Sequence, residues 1–423
     1  MRRSSKSSIF PMVIIGILFF IFGFVTWLNG SLIPFLKVIC NLSEFEALFV
    51  TFAFYIAYTV MALPMAFVLE KTGYKKGMAI GLGVMVVGSL LFIPAALSAN
   101  FIVFLLALFT LGTGLTILQT ASNPYVVLIG PIESAAMRIS IMGLINKSAG
   151  VLVPILFTAL ILSDMGSISG DLSNEDIVEL ANRLIMPYIV MAVVLTGLIG
   201  LVRFSAIPEL EFEKADEYDK GSILQFPRVI MGAVALFFYV GIEVIAGDTI
   251  GLYAQGLEVA NATALTSYTM VFMVFGYLVG VFFIPTFLSQ EKALIFSALS
   301  GIILLFGVAF SSSTSHGISE VLWGWSGIAT LPDTVSFVAL LGFANALVWP
   351  TIWPLALEGL GKYTAKGSAL LIMAIAGGAI LPLVFGRVAQ ATGDMQLSYL
   401  IGIVCYLFIF MYAVKWHKMN SWS

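Results

Sequence analysis

The chain has 423 residues, of which 60% are apolar and 10% charged, and its mean hydropathy is +1.05. A soluble domain is about 25% charged, and a water-facing surface needs more polar side chains than this sequence holds, which excludes a soluble enzyme, a nucleic-acid binder and a disordered chain. The net charge of −3 implies no polyanionic partner; an integral membrane protein remains.

A helix crosses ~30 Å of hydrocarbon with ~20 apolar residues. Runs of that length fall at 9–36, 45–69, 77–97, 101–128, 139–162, 184–207, 229–255, 262–288, 292–311, 333–357, 367–390 and 394–415. The expected fold class is therefore all-α integral membrane, with twelve transmembrane helices. Barrel strands alternate over ~10 residues, whereas Val84–Leu97 and Phe101–Leu111 are almost continuously apolar. The first run is too long for the apolar part of a cleavable signal. Alternate loops counted from the N-terminus carry sixteen Lys and Arg, the other side three, and Lys147 lies inside a span. That bias predicts a multi-pass inner-membrane protein with both termini cytoplasmic.

Charges and amides at membrane depth are costly and face a cavity or another helix. The first span breaks at Trp27-Leu28-Asn29-Gly30-Ser31, ahead of Pro34. The fourth carries Gln119 and Asn123 at i, i+4, and the fifth Asn146 and Lys147. The longest polar stretch, Pro208–Gln225, follows the sixth span and reads as a solvated cytoplasmic linker, 208–228, between halves 1–207 and 229–423. The seventh span carries Glu243 and Asp248; the tenth carries Asn345, Trp349 and Trp353 at i, i+4, i+8.

This set suits a sugar, because amides both donate to and accept from hydroxyls while indole rings pack on C–H faces. The expected substrate residues are Asn29, Gln119, Asn146 and Trp349, with Trp27 and Asn345 beside them. Amides also tie helices together, and Trp near a span end also anchors at the interface. Lys147 and Glu243 lie too far from span ends to snorkel. Glu243 is the first candidate for a coupling-ion site, the alternative being a structural ion pair with Lys147. Asp248 either shares the ion role or sits in an outer vestibule. Two distant cysteines and two histidines offer no disulfide framework, metal site or redox centre. No cofactor is expected, and no nucleophile–base constellation marks an enzyme.

The halves repeat. Gly112 to Asn123-Pro124 matches Gly342 to Trp353-Pro354 at an offset of 230, and Arg138-Ile139-Ser140 with Ala149-Gly150 and Pro154 matches Lys366-Gly367-Ser368 with Gly377-Gly378 and Pro382 at 228. Such parallel repeats mark the major facilitator superfamily, with substrate bound between the halves near the midplane. The loop Glu70-Lys71-Thr72-Gly73-Tyr74-Lys75-Lys76-Gly77 resembles that superfamily's Gly-x-x-x-Asp-Arg-x-Gly-Arg-Arg loop. The resemblance implies that Glu70, Lys71, Gly73 and Lys75 latch one conformation.

Longer segments carry a closer resemblance: Phe19–Phe24 through Leu28-Asn29, Leu32-Ile33-Pro34, Gln119–Tyr125, Gly130-Pro131, Asn146–Gly150, Tyr239–Val244 and Trp349–Pro354. Together they resemble the fucose permease-type sugar symporters, especially the bacterial glucose/galactose and N-acetylglucosamine branch. The resemblance implies sugar import coupled to a cation by alternating access. In fucose permeases an Asp stands where this chain has Gly30, and a Glu where it has Gln119, whereas the sugar-binding Asn is matched by Asn146. With both proton-carrying carboxylates missing, sodium is expected in preference to protons. The alternatives are an uncoupled facilitator, a proton-coupled permease and a sugar-sensing receptor that moves nothing. One chain holding both halves needs only sugar, cation and lipid bilayer, so a monomer is expected.

Overall fold

The computed structural model describes residues 9–129, 135–161, 174–205, 222–284 and 287–422, and no strand occurs among them. Among the described residues twelve helices are long and apolar enough to cross a membrane: α1 Phe10–Ile39, α2 Glu44–Leu69, α3 Lys71–Ser98, α4 Phe101–Asn123, α5 Met137–Ile161, α6 Asp176–Phe204, α7 Pro227–Asp248, α8 Ala262–Phe283, α9 Gln290–Phe310, α10 Asp333–Leu357, α11 Lys366–Thr392 and α12 Met395–Lys418. Twelve crossings would place Ile9 and Trp422, the ends of the described chain, on one face, here called the terminal face. Large apolar side chains such as Phe204, Phe282, Ile303 and Phe310 point outward, as expected where lipid replaces water and the helices satisfy their own backbone.

The helices differ from the predicted runs where polar residues join them. The sixth run, 184–207, begins earlier, because the amphipathic helix Asn174–Arg183 leads into it through Leu184. The seventh, 229–255, stops at Asp248 and resumes as a short helix, Ile250–Gly256. At the bend Thr249 Oγ1 donates to the Ile245 carbonyl at 2.6 Å, a side-chain bond that competes with the helix ladder. Just past the join of α2 and α3, within the first turn of α3, Gly73 is non-helical at φ 79° and ψ 172° and kinks the chain there, a region that favours glycine. Most of the 208–228 stretch lies outside the described residues.

Two groups of helices pack internally. In the first, α5 lies on α1, and both α4 and α6 lie on the α2–α3 pair. In the second, α11 and α12 lie on α7, and α10 lies on α8 and α9. The groups meet mainly where α5 packs on α8 and α11 on α2, two seams related by a shift of six helices.

Glycines permit the close approaches, and they follow the same shift. A Cβ on Gly112 of α4 would strike the Phe54 carbonyl of α2, and one on Gly342 of α10 would strike the Thr269 carbonyl of α8. These two glycines are the pair matched at the 230-residue offset. The repeat is thus a repeat of backbone contacts, which explains why small residues hold it.

Candidate functional site

Between the two groups lies a small cavity, open on part of its boundary and lined from both sides. The first group contributes Thr26 and Trp27, Tyr55 and Tyr58, Gln119 and Asn123, and Asn146 and Lys147; the second contributes Tyr239 and Glu243, Tyr277 and Trp349.

A charged pair joins the two groups. Lys147 Nζ of α5 lies 2.7 Å from Glu243 Oε1 of α7, and each side chain is 9% exposed. Tyr239, one turn back on α7, donates its hydroxyl to the same carboxylate oxygen at 2.8 Å. The ammonium also sits 4.1 Å from the centre of the Trp27 ring, a favourable cation–π position. A charge buried this deeply persists only when paired and hydrogen-bonded. The ion pair expected as one of the two readings for Lys147 and Glu243 is present.

Trp27 is a joint as much as a wall. It is 1% exposed, and its indole donates to Asn146 Oδ1 at 3.3 Å. A Cβ on Gly150 of α5 or Gly247 of α7 would approach the ring within 2.7 and 2.6 Å. The ring lines the cavity, faces the Lys147 ammonium and packs against α5 and α7. Asn146 is similarly occupied, because its other amide atom donates to the Phe19 carbonyl at 3.3 Å. Gln119 donates to the Tyr58 hydroxyl at 2.9 Å. Trp349 is half-buried and turned to the cavity, with its ring centre 6.4 Å from Tyr239 and 5.5 Å from Trp353.

Three predicted site residues stand outside the lining. Asn345 is fully buried and accepts from Tyr406 at 2.8 Å, tying α10 to α12. Asn29 and Asp248 are 1% and 0% exposed, and neither has a side-chain partner among the described residues. The lining phenols Tyr55, Tyr58, Tyr239 and Tyr277 were not anticipated, nor was Asn123 placed in the site. The i, i+4 spacing of Tyr239 and Glu243 on one helix face was the available signal.

Away from the terminal face the cavity is roofed. Ser31 donates to the Thr263 carbonyl at 2.6 Å, Thr158 and Thr263 share a 2.8 Å bond, and Ser267 donates to the Val151 carbonyl at 2.7 Å. Gly30 lies flush against the Thr266 side chain. This is the position at which the fucose permeases carry an Asp; any side chain here would have to displace Thr266.

At the terminal face, Gly73 kinks the chain at the start of α3. Lys71 rests 4.1 Å from the centre of the Phe67 ring, and Lys75 donates to the Ser205 carbonyl at the end of α6 at 2.6 Å. The Glu70 side chain lies outside what is described. Among the described residues no group of three His, Cys, Asp or Glu could hold a metal ion.

The family model of the Major Facilitator Superfamily matches residues 15–382. A glucose/galactose transporter of Brucella abortus is 34% identical over 417 residues, spanning 97% of this chain and 95% of the relative. The L-fucose-proton symporter of Escherichia coli is 28% identical over 428 residues, spanning 97% and 93%. The crystal structure of a Major Facilitator Superfamily transporter, FucP, in the outward conformation, superposes with a TM-score of 0.75 at 26% identity, covering 98% of this chain and 100% of that one.

Proposed function

Since the chain belongs to the Major Facilitator Superfamily, we propose that it imports a hexose together with a cation, by alternating access around the central cavity. The observation that carries this reading is the lining itself: amides, phenols and one open indole, drawn from both helix groups around a buried ion pair. Gln119, Asn123, Tyr58 and Trp349 bind the sugar in this reading. Asn146 and Trp27 hold α1 against α5 beneath it, and Asn29 and Asn345 act on the site from behind the lining. The moving bodies are residues 1–207 and 229–423, joined by the cytoplasmic linker 208–228, and the loop of Glu70, Lys71, Gly73 and Lys75 latches one of the two states. The protein works as a monomer in the inner membrane with both termini cytoplasmic.

The names of the relatives favour glucose or galactose as the sugar. The ion is assigned to the cluster of Lys147, Glu243 and Asp248. Sodium is the preferred ion, because Gly30 and Gln119 replace two carboxylates of the fucose permeases. A proton is the second reading, favoured by the relatives that are named proton symporters.

The test is uptake of labelled glucose into proteoliposomes, competed by galactose, N-acetylglucosamine and fucose, under either a sodium gradient at equal pH or a pH gradient without sodium. Accumulation driven by sodium and blocked by galactose is the expected result. Accumulation driven by the pH gradient alone would replace sodium by the proton. No saturable glucose or galactose movement under any gradient would sink the reading.

A further inference from the structure

Near the cavity roof the charges do not balance. Lys147, Glu243 and Asp248 lie within electrostatic reach of one another, one positive group against two carboxylates. Glu243 holds Lys147 at 2.7 Å and is further bonded by Tyr239. Asp248 is 0% exposed, and neither of its oxygens has a partner among the described residues. The Tyr55 phenol is the other titratable group within its reach. A bare carboxylate in such surroundings is strongly disfavoured; one bound monovalent cation neutralises it.

Its place in the fold points the same way. Asp248 is the last residue of α7 before the bend at Thr249, and the C-terminal end of a helix carries partial negative charge. Helix ends within broken membrane spans are where transporters hold coupling cations. Thr266 donates to the Gly247 carbonyl at 2.8 Å and lies flush against Gly30. The segments Asn29-Gly30 and Gly247-Asp248 therefore meet in one layer, the layer that closes the cavity.

We propose that Asp248 is the carboxylate that takes up the coupling cation, while Glu243 remains paired with Lys147. Loading neutralises the layer and allows it to close, whereas an empty Asp248 keeps it from sealing, so an unloaded carrier does not cross with sugar alone. The ion shifts the equilibrium between open and closed states through its differential affinity for them. The inference rests on the cation-coupled reading above.

The experiment compares the full-length chain with Asp248→Asn and Asp248→Glu in proteoliposomes, measuring labelled-glucose counterflow and gradient-driven accumulation, with sodium and pH gradients applied in separate arms. Asn imitates a permanently neutral side chain. The expected result for Asp248→Asn is loss of gradient-driven accumulation, with the counterflow that remains independent of either ion. Accumulation retained by this variant would overturn the proposal. If Asp248→Asn shows no counterflow, Asp248→Glu decides: accumulation with a several-fold shift in ion half-saturation supports the assignment, and an unshifted half-saturation overturns it. Loss of counterflow in both variants overturns it as well, by making Asp248 a structural residue. Failure of the sugar reading itself is separately visible, as absence of glucose and galactose counterflow in the parent chain.

Discussion

Lys147–Glu243 and Arg228–Glu358 are closely similar pairs, at 2.7 and 2.9 Å, set in two different surroundings. The first joins α5 to α7 at membrane depth with both side chains 9% exposed; the second lies on the terminal face, where Glu358 is 69% exposed. Water and salt screen the outer pair, so holding two side chains in one geometry returns little there. Around the inner pair little water reaches either charge, so each group depends on the other, helped by the Tyr239 hydroxyl and the Trp27 ring. Contact distance alone says nothing of this difference; burial does.

The sharpest way to break the contrast is to remove one partner of each pair. Glu243→Gln or Lys147→Ala leaves a buried charge unpaired and is expected to destabilise the protein by about 3–5 kcal/mol and to abolish sugar flux. The double variant is expected to recover part of the stability, though not the transport. Thermal unfolding of the purified protein in detergent, read beside counterflow, checks both; single variants as stable as the parent would show the pair to be ordinary.

A smaller effect is expected one layer up. Gly30→Leu overpacks the contact with Thr266 by about 1–3 kcal/mol, which lowers flux by about tenfold by holding the roof open. A cysteine at Ser267 should then react faster with a membrane-impermeant thiol reagent; unchanged labelling together with unchanged flux would mean that this contact does not gate. Smallest is Arg228→Gln, expected to shift stability by no more than about 1 kcal/mol and to leave flux intact. A large loss there would erase the distinction between the two pairs.

Much of this was legible in the sequence because lipid imposes a simple rule. Twelve apolar runs became twelve helices, and Lys147 and Glu243 stood out as charges that could not reach water. The same rule hides what is merely amphipathic. Tyr55, Tyr58 and Tyr277 read as ordinary span residues, yet all three line the cavity. Asn345 carried the same polar signal as Gln119, but its helix face turns to Tyr406 rather than inward. Facing depends on helix rotation, which is set by contacts between helices distant in sequence. The bend at Thr249 was hidden for a related reason: it interrupts the helix for a single residue inside one apolar run, which length and hydropathy read as continuous.

Trp27 has an optical consequence. Its indole lies under the ammonium of the paired Lys147 and against Gly247, beside Asp248. A charge fixed near an indole changes the energy of its excited state, so a rearrangement of the ion pair or of the roof would alter the colour of its emission. The chain holds seven tryptophans, and replacing the other six by phenylalanine would turn Trp27 into a built-in dye for that movement, readable without attaching a label.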